Sequence, residues 1–243
     1  MTTYRCWSFR SVAILALAWL ILQIGGLFTP GLLDDVDSIY IEIAREMLHR
    51  HDFVTPYIDG IRFFDKPPLM YWMASSSMAV FGIKDWAARL PLALAVLVLL
   101  LAVYALGIRL FAEISPTTHP DRGGFYAALA MATSIGPYLY TRFYIPDILL
   151  ALWMTLAVHL FLIALDRIQL ACPQNPIQNR VPHVPLLRHG FSATKSPLLP
   201  CLAFAAVMAL NVLTKGLIGI VFPIAFVLLY LAGIGVTVCM SND

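Results

Sequence analysis

Three carboxylates stand within four residues, at Asp34, Asp35 and Asp37. Crowding of this kind raises the pKa of at least one member and suits a general base or acid. The same acids also suit the solvated N-terminus of a helix, where the dipole favours negative charge. A second group lies in Phe63-Phe64-Asp65-Lys66-Pro67-Pro68-Leu69. Pro67 restricts Lys66 to extended backbone, and the second proline, Pro68, stiffens the segment further. A lysine held rigidly at a membrane surface is a natural phosphate ligand. Asp65 can orient that ammonium or take a divalent metal. The plainer alternative is a turn anchored by aromatics with a snorkelling lysine. Asp147 follows Pro146 at the head of an apolar run, and Lys215 interrupts Leu213-Thr214-Lys215-Gly216 between two apolar runs. An ionisable residue so placed is a functional candidate, or else one end of an ordinary turn. The histidines and the four cysteines, Cys6, Cys172, Cys201 and Cys239, show no metal-ligand spacing.

The elements that must position these residues are set by composition. Of 243 residues, 60% are hydrophobic and 12% charged, and the mean hydropathy is +0.80. Soluble domains have roughly 25% charged residues, so a multi-span, all-α membrane protein is expected. The near-neutral balance, +2 at pH 7, excludes a nucleic-acid partner. Nine of the 14 acids fall between positions 34 and 85, a polar island in an apolar chain. About six transmembrane helices are read: Ser11 to Phe28, Trp86 to Phe111, Phe125 to Tyr140, Ile145 to Leu165, Leu198 to Leu213 and Gly216 to Val236. The first is a retained span rather than a cleaved signal peptide. Residues 32–51 read as an amphipathic helix along the membrane surface, with Ile39, Ile43 and Met47 on one stripe. Residues 52–68 read as loop, and 69–82 as a short interfacial or re-entrant helix. Residues 1–243 thus form a single transmembrane domain. Within it, 29–85 is a periplasmic loop with juxtamembrane helices and 166–197 a cytoplasmic Pro-rich linker.

Sidedness follows from Arg5 and Arg10 at the N-terminus and from the basic 166–197 linker, both placed in the cytoplasm. The acidic cluster, Asp65-Lys66, Arg142, Asp147 and Lys215 then all fall at the opposite membrane face, each at or near a span end. That is the pattern of a site built from several membrane-end loops. A secondary transporter would carry mid-span charges and internal repeats, and neither is visible.

The order of motifs is distinctive. Tyr40-Ile41-Glu42-Ile43-Ala44-Arg45-Glu46-Met47 follows the acidic cluster. Then come Phe63-Phe64-Asp65-Lys66-Pro67-Pro68-Leu69-x-Tyr71-Trp72, Ala88-Arg89-Leu90-Pro91, Asp147 and Leu213-Thr214-Lys215-Gly216. This resembles the N-terminal half of GT-C-fold polyprenyl-phosphate-sugar glycosyltransferases. The likeness is to the branch of the lipid A aminoarabinose transferases and, more distantly, the family 39 protein O-mannosyltransferases. The resemblance implies a multi-pass inner-membrane enzyme working at the periplasmic face. Such an enzyme takes a sugar from an undecaprenyl-phosphate donor and gives it to an acceptor in lipid A, glycan or protein. It implies a base among Asp35, Asp37 and Asp34, in that order, with Asp147 assisting. It also implies donor-phosphate contacts from Lys66 first, then Lys215 and Arg45, and leaves a divalent metal at Asp65 open. Family members run to about twice this length. The resemblance therefore also allows a truncated, non-catalytic membrane fragment, and implies that this chain alone folds poorly and transfers no sugar.

Overall fold

The computed structural model describes residues 7–28, 31–32, 36–111, 121–171 and 197–240. It is a helical assembly. Helices α1 (Phe9–Trp19) and α2 (Gly25–Phe28) are joined by a π-helical stretch, Leu20–Ile24, into one apolar rod. The long helices α5 (Asp85–Phe111), α8 (Asp147–Ala171), α9 (Leu198–Lys215) and α10 (Ile218–Met240) follow the other apolar runs. Four stretches, Phe9–Phe28, Asp85–Phe111, Asp147–Ile168 and Leu198–Lys215, are long and apolar enough to cross a membrane.

The expected span at 125–140 is not one continuous helix. It is split into α6 (Arg122–Thr133) and α7 (Ile135–Arg142). Pro137 has no amide hydrogen and its ring clashes with the carbonyl four residues earlier, that of Thr133, so the helix must break there. Ser134 takes an extended backbone, ψ 149°, and serves as the junction. In the linker read at 166–197, Asp166 to Ala171 instead prolong α8. The residues from 172 to 196 lie outside those described.

The polar island is largely folded. Its helix α3 (Val36–Arg50) does carry the expected apolar stripe, but the stripe is turned inward. Ile43, Ala44 and Met47 are fully buried, packed in one core with Met70, Ala74 and Met78 of α4 (Leu69–Phe81). Between them the expected loop contains a small antiparallel hairpin, β1 (Tyr57–Ile58) and β2 (Ile61–Arg62). Its tip is Asp59-Gly60, with φ of 50° and 80°. This is the Asp-Gly turn whose twist matches the strands it joins.

The core runs from α3 and α4 into α5 and α8 through Leu92, Val96, Leu99, Leu149 and Leu152. Alanine and glycine allow close helix approach, as membrane packing favours. A Cβ on Gly124 of α6 would lie 2.5 Å from the Tyr104 carbonyl oxygen of α5. At the far end, Arg109 of α5 donates to Asp166 of α8 at 2.7 Å.

Candidate functional site

The hairpin determines where Lys66 goes. By reversing the chain, with Phe63 N–H donating to the Pro56 carbonyl at 2.9 Å, it returns residues 63–66 to α3. There Tyr40 donates its hydroxyl to Asp65 Oδ2 at 3.1 Å, and Lys66 Nζ lies 2.9 Å from the same oxygen. The three groups tune one another. The Lys66 ammonium holds the Asp65 carboxyl below its usual range. Asp65 in turn raises Lys66. Burial raises the Tyr40 phenol, with Lys66 opposing. Lys66 is therefore a firmly protonated, half-buried cation on a stiff loop.

Below this triad lies an aromatic layer. The rings of Tyr40 and Tyr71 are 6.1 Å apart. Tyr71 is fully buried, and its hydroxyl has no hydrogen-bond partner among the described residues. Burial raises its pKa, with Tyr40 and Asp65 adding to the effect. Tyr144, also fully buried, donates to the Met70 carbonyl at 2.8 Å. That bond ties the turn before α8 to the first turn of α4. Tyr144 holds a φ of 49°, a conformation a tyrosine adopts only where its surroundings fix it.

Three residues beyond Tyr144, Asp147 opens α8 and pairs with Lys215, the last residue of α9. An acid at a helix N-terminus and a cation at a helix C-terminus are each favoured by the dipole, so both helix ends support the pair. Thr214, beside Lys215, accepts from Trp153 Nε1 at 3.0 Å. Because the Tyr144–Met70 bond joins the turn before α8 to the first turn of α4, Asp65–Lys66 and Asp147–Lys215 stand at one end of the bundle.

The remaining sequence candidates fall differently. Asp37 is 1% exposed and accepts from Arg89 Nη2 at 3.1 Å; Arg89 also donates to the Gly31 carbonyl at 3.2 Å. This buried pair locks the start of α3 to α5 and to the chain before it. Asp34 and Asp35 lie outside the described residues. Arg45 bonds Glu42 at 2.8 Å on the exposed face of α3, about 140° around the helix from Tyr40 by helical geometry. It joins neither of the pairs. Asp65 Oδ2 takes both the Lys66 ammonium and the Tyr40 hydroxyl. Among the described residues no group of three or more His, Cys, Asp or Glu side chains converges. Sequence reading missed Tyr40, Tyr71 and Tyr144 as parts of this end, and Arg89 as the partner of Asp37. The Asp-Gly turn was the available signal that residues 63–66 return to α3.

The chain is similar to known proteins along most of its length. The model of the family described as dolichyl-phosphate-mannose-protein mannosyltransferase matches residues 65–171. An undecaprenyl phosphate-alpha-4-amino-4-deoxy-L-arabinose arabinosyl transferase 2 of Sodalis glossinidius is 30% identical over 151 residues, 62% of this chain and 25% of that protein. A protein of Aquifex aeolicus is 28% identical over 82% of this chain and 37% of its own length. Among solved structures, ArnT from Cupriavidus metallidurans bound to undecaprenyl phosphate superposes with a TM-score of 0.67 at 24% identity. That match covers 90% of this chain and 34% of ArnT. The chain thus shares its fold with about a third of ArnT, and spans between a quarter and two fifths of the length of these relatives.

Proposed function

We propose that this chain carries the donor-binding end of an integral membrane glycosyltransferase that takes a sugar from undecaprenyl phosphate. The acceptor is a hydroxyl or phosphate of the cell envelope, in lipid A, a glycan or a protein, and the working face is the periplasmic side of the inner membrane. The observation that carries this reading is the Tyr40–Asp65–Lys66 triad on its stiff loop, at the same bundle end as Asp147–Lys215. An apolar cleft of about 450 Å³ between α4 and α5, lined by Trp72, Met73, Phe81, Leu90 and Leu94, supports a polyprenyl chain lying against the same helix.

In this reading an acceptor oxygen attacks the anomeric carbon while the bond from that carbon to the donor phosphate oxygen breaks. The electron pair leaves with the phosphate, where Lys66, and then Lys215, stabilise it away from water. The acceptor proton passes to Asp35, with Asp34 as the alternative, since Asp37 is committed to Arg89. Asp147 orients the acceptor and holds Lys215. Arg45 is the more distant contributor to the phosphate field. A single displacement gives inversion at the anomeric carbon.

Transfer is measured from a labelled undecaprenyl-phosphate-linked sugar, with membranes carrying the chain alone or joined ahead of the remaining part of the Cupriavidus protein. Transfer by the joined chain is expected. Lys66→Ala should lower its rate about 10²–10³-fold, as removal of a preorganised charge donor does. Asp35→Asn should lower it about 10²–10⁴-fold. A well-expressed joined chain that transfers nothing, or that turns over normally in both variants, overturns the reading.

A further inference from the structure

Among the described residues, four cations are buried or half-buried at the bundle end that carries the two pairs: Lys66, Arg89, Arg142 and Lys215. Three have a carboxylate, supplied by Asp65, Asp37 and Asp147. Arg142 has none within ion-pair distance among the described residues. Its guanidinium lies over the Tyr138 ring, 5.0 Å from the centroid, and donates to the Tyr138 hydroxyl. A ring face attracts a cation and orients it, but it carries no formal charge, and no described carboxylate offsets that of Arg142. Arginine does not shed its proton to escape that cost. A permanent charge kept at a membrane boundary without a counter-ion marks a place where an anion is expected.

The surroundings hold this side chain in place. Thr141, next to it, is buried and donates to Gln23 Oε1 at 2.8 Å, while Gln23 Nε2 donates to the Pro137 carbonyl at 3.3 Å. Gln23 belongs to the π-helical stretch of the first span, so the wound-out turn is what brings this amide to α7. A Cβ on Gly26 would lie 3.7 Å from Arg142 Cγ, so the glycine leaves a flat wall for the arginine stem. Two residues later Tyr144 binds α4, and five residues later Asp147 binds Lys215. Arg142 is thereby fixed to the scaffold that positions both pairs.

We propose that Arg142 is an anion-binding residue of this site, taking the oxygens of a phosphate ester through its planar fork. The inference rests on the glycosyltransferase reading above and adds a residue to it. The phosphate belongs to the polyprenyl carrier or to a phosphorylated glycolipid acceptor, and the test separates the two.

The purified 243-residue chain in detergent is mixed with undecaprenyl phosphate, with a diphosphorylated, acylated disaccharide lipid, or with undecaprenol as the phosphate-free control. Retained lipid is read by native mass spectrometry. Arg142→Gln is expected to weaken retention of one phosphorylated lipid about tenfold or more, as loss of a charged hydrogen-bonding group does, and to leave undecaprenol unchanged. Arg142→Lys keeps the charge and should recover part of the loss; it also stands in if the glutamine variant is not monodisperse. Weaker undecaprenyl phosphate binding assigns Arg142 to the donor, and weaker glycolipid binding to the acceptor. Unchanged retention of both lipids by the Arg142 variants, beside a loss in Lys66→Ala, overturns the inference and leaves the wider reading intact. A wild-type chain that retains neither phosphorylated lipid overturns both.

Discussion

Lys66 keeps its proton because Asp65 and Tyr40 hold it. The folded lysine has a raised pKa, so its protonated form persists to higher pH than in a free chain and is lost only as pH rises through the raised value. Undecaprenyl phosphate binding should therefore hold up through about pH 10, near the ordinary lysine value. Asp65→Asn removes the main cause of the shift, and the alkaline loss of binding should then begin at lower pH. Titrating lipid retention in the two proteins checks this, and coincident alkaline limbs would remove the role of Asp65. Asp37 and Arg89 make a different kind of pair, both almost fully buried. Arg89→Met or Asp37→Asn strands one group in a dry site, at a cost of about 3–5 kcal/mol. Replacing both with apolar residues should cost far less. Thermal unfolding in detergent measures each step of this cycle.

Among the elements, the α5–α6 contact is the least forgiving. A Cβ on Gly107 would meet the Gly124 backbone at 2.5 Å, and one on Gly124 would meet backbone atoms of α5 at a similar distance. Gly124→Ala should force the helices apart and lower stability by about 1–3 kcal/mol, as overpacking does. A variant as stable as the wild-type chain would show that the helices have room to separate. The link between α4 and the turn before α8 is gentler. Tyr144→Phe keeps the ring and loses one buried hydrogen bond, about 1 kcal/mol. It should also loosen the register between the Lys66 loop and Asp147, so donor affinity falls with little loss of folded protein. Most helices were legible from hydropathy alone, because long apolar runs in a membrane have few other options. The break at Ser134 was legible in principle from Pro137, but apolarity on both sides masks it. The inward turn of α3 was not legible. An amphipathic stripe shows which face is apolar, not whether lipid or α4 covers it.

For the molecule as a whole, the sequence supplied the candidate groups without their partners. Lys66 and Asp65 are neighbours in the chain. Asp147 and Lys215 are 68 residues apart and Asp37 and Arg89 are 52 apart, so only folding shows that they pair. Sidedness remains a property of the whole chain. With the basic N-terminus read as cytoplasmic, residues 29–85 are proposed to lie outside the cytoplasm. A single cysteine at Asp59, at the exposed hairpin tip, in a cysteine-free background should react with a membrane-impermeant thiol reagent in outer-membrane-permeabilised cells. Protection of that position until the inner membrane is lysed would invert the topology.

Lys66 and Lys215 each come with a resident carboxylate, Asp65 and Asp147. On the glycosyltransferase reading, donor binding is then an exchange, in which a phosphate displaces a carboxylate rather than landing on bare charge. The donor enters as a phosphodiester with one negative charge, and the carrier leaves as a monoester with up to two. Bare cations would hold the spent carrier more tightly than the substrate and make its departure the slow step. Carboxylates waiting to reclaim the two lysines weaken the hold on both forms alike, so the pairs that restrain binding also hasten the departure of the spent carrier.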